Sequence, residues 1–369
     1  MLKQAPVVFA VGNEYQIFVL VECESLVRVK CGEEVFYDDS NGIMRSLNSL
    51  HKVTVPMHVL DDKKQYTVEI IPVKERKPYF TKTSDLQLFD FSFKPIQSND
   101  SIKILHISDT HGMIDEPIRS AWLAEKGLDL LVLNGDIANS SDCIDSLLVA
   151  HTIASRLTNG SVPCVFARGN HDMRGKYAEM LSDYSPTVNG ASYYTFRVGP
   201  LWGIVLDAGE DKDDTCEEYG RTICCQQFRM KETEFLKQVI KHSEREYHAD
   251  GVKRRLLISH EPFSYSHDHT FQRSIPIYRE WCQLLKEHIK PELALCGHWH
   301  ETSIWDVGSE YDQNGQPCPI IIGGNPWSDR PDHFIGYSSA TVILEQDTAR
   351  VFFTNHLGAI EKEAVVDLV

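Results

Sequence analysis

The chain has 369 residues, of which 42% are apolar and 24% charged, so it can bury a substantial core and is not a disordered protein. Its formal net charge is −16, from 53 acidic and 37 basic residues, and no long block of Lys or Arg occurs. This balance excludes tight binding to the phosphate backbone of a long nucleic acid. A small anionic substrate remains compatible if a local cation offsets the field.

Export and membrane signals are missing from the sequence. The N-terminal stretch MLKQAPVVFAVGNEYQ has no long apolar segment before a cleavage site, and no run of about 18 apolar residues occurs. None of the 10 cysteines shows CxxC spacing. We therefore expect a cytoplasmic protein with free thiols and no membrane partner.

Residues 1–97 contain short runs in which apolar and polar side chains alternate, the pattern of half-buried β-strands. The predicted strands cover residues 15–21, 26–29, 52–55 and 66–71, and no helix is predicted among them. This pattern predicts a small all-β domain, an antiparallel sandwich that resembles a fibronectin type III domain in outline. The polar residues 97–100 are its predicted boundary.

From residue 101 to 369 the pattern changes to apolar strands that alternate with amphipathic helices, which predicts stacked βα units in a second, α/β domain. The predicted strands are residues 102–107, 128–133, 162–167, 201–206, 256–259 and 293–296. The predicted helices are residues 117–126, 143–157, 174–181, 226–243 and 277–289. Strand character returns at residues 320–322, 340–344 and 350–354.

Five of these strands lead directly into side chains that bind metal ions. The turns after them contain Asp109, His111, Asp136, Asn170, His171, Asp172, His260, His298 and His300. The carboxyl ends of the strands in an open α/β sheet are where ligands bind, and glycines at 135, 169 and 297 allow the sharp turns this requires. Each residue alone has an ordinary explanation, such as a helix N-cap or a hydrogen-bonded core histidine. Five such turns together favour one shared cleft.

The chemistry of these side chains indicates which ions they would bind. Carboxylate, imidazole and amide groups suit Mn, Fe or Zn, whereas Mg or Ca sites are richer in oxygen and structural Zn sites favour thiolates. Seven or more ligands are too many for one ion with an open position. The set therefore predicts two metal ions roughly 3.5 to 4 Å apart.

The ordered blocks DTH, GD, GNHD, SH and GHWH resemble the calcineurin-like metallophosphoesterases, whose pattern is DxH, GD, GNH(E/D), a lone H and GHxH. The resemblance covers residues 109–300 and implies a four-layer fold, a β-sandwich flanked by helices. It also implies one ion held by Asp109, His111 and His300, a second held by Asn170, His260 and His298, and Asp136 bridging the two. His171 would then be the acid beside the leaving group, with Asp172 steering its ring.

A β-sandwich placed before such a domain is also similar to the architecture of purple acid phosphatases. Those enzymes carry a ligand Tyr in a GDxxY block and a Gly in the first motif. The matching positions here are Asn139 and His111, so the likeness is one of architecture.

The resemblance implies a metal-dependent phosphoesterase in which a hydroxide shared by the two ions attacks a small phosphomonoester or phosphodiester. A cyclic-nucleotide phosphodiesterase or nuclease is the alternative within the enzyme class, and a scaffold protein with a vestigial metal site is the alternative outside it. The expected partner is a small phosphorylated substrate, and a homo-oligomer stays open. Specificity is expected in the loops of residues 207–225 and 262–274. Arg168 and Arg174 could each bind phosphate or form a salt bridge.

Overall fold

The computed structural model describes residues 1–39, 42, 48–97, 101–210, 212–265, 274–331 and 333–368. Residues 98–100 of the predicted boundary, residue 211 of the first specificity loop and residues 266–273 of the second lie outside these ranges. Within the described ranges, no helix is both long enough and apolar enough to span a bilayer. All 10 cysteines are free thiols, as predicted.

The strands and helices are numbered along the chain. The strands are β1 (Val7–Val11), β2 (Glu14–Leu20), β3 (Ser25–Cys31), β4 (Glu34–Tyr37), β5 (Leu50–Pro56), β6 (Gln65–Glu75), β7 (Lys82–Thr83), β8 (Gln87–Ser92), β9 (Ile102–Ile107), β10 (Leu130–Asn134), β11 (Pro163–Ala167), β12 (Tyr194–Val198), β13 (Leu201–Leu206), β14 (Arg254–Ser259), β15 (Leu293–Cys296), β16 (Glu301–Trp305), β17 (Ile320–Arg330), β18 (His333–Leu344), β19 (Thr348–Asn355) and β20 (Ile360–Asp367). The helices are α1 (Met57–Lys63), α2 (Asp115–Ser120), α3 (Ile144–Leu147), α4 (Val149–Thr158), α5 (Leu181–Tyr184), α6 (Cys225–Lys241) and α7 (Ile275–Leu284).

Two sheets organise the described chain. Fifteen strands form the larger one, whose main path runs β12-β13-β14-β15-β17-β18-β9-β10-β11-β1-β2-β5, with β16, β19 and β20 beside β17 and β18. The smaller sheet contains β3, β4, β6, β7 and β8, paired antiparallel. In the larger sheet β9, β10 and β11 are parallel neighbours, and so are β13, β14 and β15.

The larger sheet is covered by helices and also packs against itself. Successive side chains of a strand point to opposite faces, so each half of this sheet buries two faces. One face of β9–β11 packs against α4, and one face of β13–β15 packs against α6 and α7. The other faces meet in one inner cluster, to which one half contributes Ile104 and Val132 and the other Leu256 and Leu295. This order of helix, sheet, sheet and helix confirms the predicted mixed α/β fold.

The separate fibronectin-like sandwich is not confirmed. Strand β1 lies parallel to β11, with Val8 opposite Pro163, and β2 and β5 continue the larger sheet from it. The reason is visible in burial, because every residue of β1 and all but the first of β2 are buried. Strands buried on both faces belong inside a layered fold, not on a half-exposed sandwich. The boundary near residue 97 stays a prediction.

Two helix predictions are wrong. Helix α1 lies in the region where no helix was expected; it has 7 residues, and periodicity is a weak guide to so short a segment. Residues 174–181 contain only a 3-10 turn at Ala178–Met180 and the start of α5. Gly175 has φ +106°, a conformation that interrupts a right-handed helix at this point.

The packing of β1 gives a test of whether residues 1–97 fold as part of the larger sheet. The Phe9 ring is buried, with its centroid 5.4 Å from that of Phe18 and 5.9 Å from that of His151 on α4. Phe9→Ala should lower the free energy of unfolding by about 3–5 kcal/mol, because it leaves a cavity. All 6 tryptophans lie beyond residue 97, so tryptophan fluorescence in urea should follow this loss.

Leu357→Ala is the control, because that side chain is 72% exposed and its loss should change stability little. An unchanged tryptophan transition in Phe9→Ala, beside a separate earlier transition in circular dichroism, would show that the N-terminal strands unfold on their own.

Candidate metal centre

The predicted ligands follow strands of both halves of the larger sheet and gather at one edge of it. Three turns follow β9, β10 and β11, and two follow β14 and β15. Backbone hydrogen bonds join the turns directly: Asp109 N–H donates to Gly135 O and His111 N–H to Asp136 O, both at 3.0 Å. The turns after β14 and β15 are joined in the same way, by Gly297 N–H and His260 O at 2.9 Å. The ligand positions are therefore set by the sheet and not by flexible loops.

Backbone strain is concentrated in these turns. Non-glycine residues rarely adopt a positive φ, and each such residue costs of the order of 1–3 kcal/mol. Five predicted ligands do so, namely Asp109 (54°), His111 (46°), Asp136 (52°), His298 (73°) and His300 (51°). Strain of this kind persists where surrounding structure enforces it, and it is a mark of functional sites.

Two glycines permit the close approach of the turns. A Cβ atom on Gly135, which has φ +77°, would lie 2.5 Å from the His260 ring. A Cβ atom on Gly297 would lie 2.5 Å from Asp109 Oδ2. Both positions therefore require glycine, as the sequence predicted for these turns.

The first ligand group consists of Asp109, His111 and His300. The Nε2 atoms of the two histidines are 2.8 Å apart, and His300 Nε2 is 3.7 Å from Asp109 Oδ1. Two nitrogens bound to one ion at roughly 2.1 Å each lie about 3.0–3.4 Å apart, depending on the angle at the ion. The two rings thus lie slightly closer together than co-ligands of one ion, and Asp109 is held in place by the His298 N–H at 2.9 Å.

The second group consists of Asp136, His260 and His298, with Asn170 beside it. His260 Nδ1 donates to the Asn134 carbonyl at 2.7 Å, which directs Nε2 at Asp136 Oδ2, 3.2 Å away. A backbone carbonyl that fixes the tautomer in this way is typical of metal-binding histidines. Asp136 also lies within ligand distance of His111, so it stands between the two groups.

The orientation of the Asn170 amide depends on what occupies this point. With its oxygen inward, Oδ1 lies 3.2 Å from both Asp136 Oδ2 and His298 Nδ1, and the two oxygen acceptors face each other. Rotating the amide by 180° would let its nitrogen donate to both atoms and its oxygen accept from Arg174 at 2.8 Å. Hydrogen bonding alone favours the rotated form. An ion among these atoms favours the inward oxygen.

The electrostatics of the ligands agree with cation binding. Burial lowers the pKa of His111 to about 3, so its ring is neutral and has a lone pair to offer. Burial would also lower the pKa of His260, but the carboxylates of Asp136 and Asp109 raise it to about 10. A proton on His260 thus supplies the positive charge that two buried carboxylates need when no ion is bound.

His298 and His300 lie in different groups of side chains, His298 with Asp136 and His260, and His300 with Asp109 and His111. Trp299 between them packs away from the ligands, 5.3 Å from Tyr265 and 5.5 Å from Trp305, ring to ring.

The expected contact between Asp172 and the His171 ring is not what the structure shows. His171 Nδ1 donates to the Asn139 carbonyl at 2.9 Å, and its Nε2 accepts from Arg174 at 2.9 Å. The Asp172 carboxylate is buried and accepts backbone N–H groups of Asp136, Gly169 and Ala138, at 3.0, 2.9 and 3.4 Å. Asp172 therefore joins the turn after β10 to its own turn after β11, because both turns donate backbone N–H groups to its carboxylate.

Sequence reasoning missed several residues around the centre. Glu210 is 1% exposed and lies 3.3 Å from Asn170 Nδ2. Phe334 on β18 stacks on the His111 ring with centroids 5.0 Å apart. Neither residue has a local motif that could have revealed it.

Comparisons with known proteins agree with this geometry. A family model described as calcineurin-like phosphoesterase matches residues 102–302. The fold is similar to that of the purple acid phosphatase PPD1 from yellow lupin (Lupinus luteus) seeds, with a TM-score of 0.59 and 12% identity over 100% of this chain and 75% of that one. It is also similar to PhoD, with a TM-score of 0.54 and 11% identity over 98% of this chain and 88% of that one. These identities show likeness of fold alone. A search of curated proteins finds no match.

The role of Asp172 can be tested by Asp172→Asn. The asparagine amide has one oxygen and one NH₂ group, so it cannot accept all of the backbone N–H groups that the carboxylate accepts. The variant should lose about 1–3 kcal/mol of stability in urea unfolding and should retain less metal in elemental analysis. Asp142→Asn, on the exposed side of the neighbouring turn, is the control. Full stability and metal content in Asp172→Asn would show that its three backbone contacts are dispensable.

Proposed function

The chain belongs to the calcineurin-like phosphoesterase family, and from that premise we propose that it hydrolyses small phosphate esters with the help of two metal ions. The observation that carries this proposal is that two ligand groups meet at Asp136, which belongs to one group and lies within ligand distance of His111 in the other. All seven predicted ligand residues have their side chains in or beside these groups. A scaffold protein with a vestigial site would have no need to maintain such a set.

We propose the division of residues between two ions that the family resemblance implies, and the distances between the side chains support it. Asp109, His111 and His300 would bind one ion, Asn170, His260 and His298 the other, and Asp136 would lie between them. The donors mix nitrogen and oxygen and include no thiolate, which favours Mn, Fe or Zn. When bound, such ions supply a water nucleophile at neutral pH and neutralise charge that develops on the phosphoryl oxygens.

His171 is the residue best placed to give a proton to the leaving oxygen. Its side chain is 27% exposed, and Nε2 lies 4.0 Å from Asp136 Oδ2, so the ring borders the centre without being one of its seven ligands. The Asn139 carbonyl holds Nδ1–H and so fixes the orientation of the ring. An incoming ester oxygen would meet Nε2 on the open side.

The small size of the proposed substrate rests on charge. The net charge of −16 opposes a long polyanion, and it leaves a small monoester, a small diester or a cyclic nucleotide open. Rates on phenyl phosphate and bis-phenyl phosphate, each measured with Mn²⁺, Fe²⁺ and Zn²⁺, would separate monoesterase from diesterase activity.

The metal requirement is tested by Asp136→Ala. Elemental analysis of the wild-type protein should find two ions per chain, and the variant should hold less than one, because Asp136 serves both groups. Turnover of phenyl phosphate should fall by at least about a thousandfold.

His248→Ala removes an exposed histidine far from the centre in the chain and should change neither quantity. Two ions per chain and full turnover in Asp136→Ala would contradict the bridging position.

The proton-donor role is tested by His171→Ala with two leaving groups. Turnover of phenyl phosphate should fall about 10²- to 10⁴-fold, because phenolate leaves poorly without a proton. Turnover of 2,4-dinitrophenyl phosphate, whose leaving group needs no proton, should fall much less. Equal losses on both substrates, with metal content unchanged, would rule out proton donation.

A further inference from the structure

A cationic side chain borders the candidate metal centre next to His171. Arg174 Nη1 lies 2.9 Å from His171 Nε2, which in turn lies 4.0 Å from Asp136 Oδ2. The side chains of Arg174 and His171 are 23% and 27% exposed, so both face an opening as well as the protein. Two contacts therefore separate the guanidinium group from the shared carboxylate of the centre.

Glu210 holds this guanidinium group in a fixed orientation. Its carboxylate, 1% exposed, accepts from Arg174 Nε and Nη2 at 3.1 Å each. The Tyr219 ring covers one face of the group, with Arg174 Cζ 5.6 Å from the ring centroid. Glu210 thus binds two of the three guanidinium nitrogens of Arg174, and the third, Nη1, is directed at the His171 ring.

The other arginine near the GNHD turn is placed differently. Arg168 Nε lies 2.7 Å from Asp207 Oδ2, and its guanidinium group lies 5.2 Å from the centroid of the Phe228 ring. Arg168 lines a separate surface groove together with Tyr193 and Phe228. The structure therefore separates two arginines that the sequence left equivalent.

The partner of Nη1 shows what kind of ligand would replace it. Arginine donates and never accepts, so His171 Nε2 must be the acceptor in this contact, while Nδ1–H is given to Asn139. A phosphoryl oxygen is a charged acceptor, and it forms a stronger bond with a guanidinium group than a neutral ring nitrogen does. A phosphate at the centre would draw Nη1 to itself, and Nε2 could then carry the proton that the leaving oxygen takes.

We propose that Arg174 binds a non-bridging oxygen of the substrate's phosphoryl group, and that Glu210 is the positioning residue that holds Arg174 for this contact. The inference rests on the proposed function and adds a recognition element outside the metal ligands. It assigns the segment that follows β13, from which Glu210 comes, a part in phosphate binding.

The test measures binding of inorganic phosphate to the full-length, Mn²⁺-loaded protein by calorimetry, beside turnover of phenyl phosphate. Arg174→Gln should weaken phosphate binding about tenfold to a hundredfold, because it removes a charge-assisted hydrogen bond. Arg174→Lys should recover part of that loss, since it keeps the charge but not the fork. Glu210→Gln should weaken binding less than Arg174→Gln and should raise KM more than it lowers kcat.

Arg168→Gln is the matched control and should bind phosphate within about twofold of the wild type, because Arg168 faces Asp207 instead of the centre. Added guanidinium ion should restore part of the phosphate affinity of Arg174→Ala. Guanidinium ion would not restore phosphate affinity if the role of Arg174 were purely structural.

Wild-type phosphate affinity in Arg174→Gln, with two ions still bound, would overturn the inference. A loss of affinity that only follows a loss of metal would overturn it too, because Arg174 would then act through Asn170. A wild-type protein that binds phosphate through Arg174 but hydrolyses no ester would keep this inference and overturn the proposed hydrolase. No phosphate binding by the wild type would overturn both.

Discussion

Buried carboxylates and imidazole rings converge in this protein, and the candidate centre depends on the cost of keeping them away from water. Asp109 and Asp136 are buried carboxylates, and histidine nitrogens approach them and one another to within 4.8 Å. Removing such groups from water costs several kcal/mol each unless positive charge compensates them. Within the described ranges, the compensation inside the cluster is a proton on His260, whose pKa the two carboxylates raise to about 10 after burial has acted to lower it. Two metal ions would meet the same need more fully, because every ligand atom could then face a cation.

The fold sustains this arrangement by connecting the turns to one another. Five ligands have a positive φ. Backbone hydrogen bonds join the first turn to the second, and the turn after β14 to the turn after β15. Asp172 adds three acceptor contacts between the second and third turns. The strain is tolerable because β9–β11 and β14–β15 are buried on both faces, so the bases of the turns cannot relax. Hydrogen bonds between the turns and burial of the strands thus hold the ligand residues in place.

The sequence predicted the centre better than the architecture around it, and the reason is physical. Three ligand turns, those of Asp136, Asn170 and His298, combine a buried strand, a glycine and a polar residue, so Asp136 and His298 could be found without knowing their neighbours. The placement of β1 depends on β11, more than 150 residues away, and its buried run VVFAV reads equally well as a strand of any buried sheet. The same limit applies to Asp172. The family resemblance implied that Asp172 steers the His171 ring, but the three-dimensional neighbours of its carboxylate are backbone N–H groups of two turns.

The residues that surround the ligands come from segments that carry no motif. The parts of the chain that would bind metal ions are therefore distinct from the parts that would contact the rest of the substrate. Glu210 follows β13, Phe334 lies on the hairpin of β17 and β18, and both touch residues of the centre. A change in either segment would alter the surroundings of Arg174 or His111 while the strands that bear the ligands stay paired. The ligand turns cannot vary in this way, because a Cβ atom at Gly135 or Gly297 would already collide with the His260 ring or the Asp109 carboxylate. Substrate preference in this chain is therefore expected to depend on the segment after β13 and on the hairpin of β17 and β18, and the metal chemistry on the strand ends.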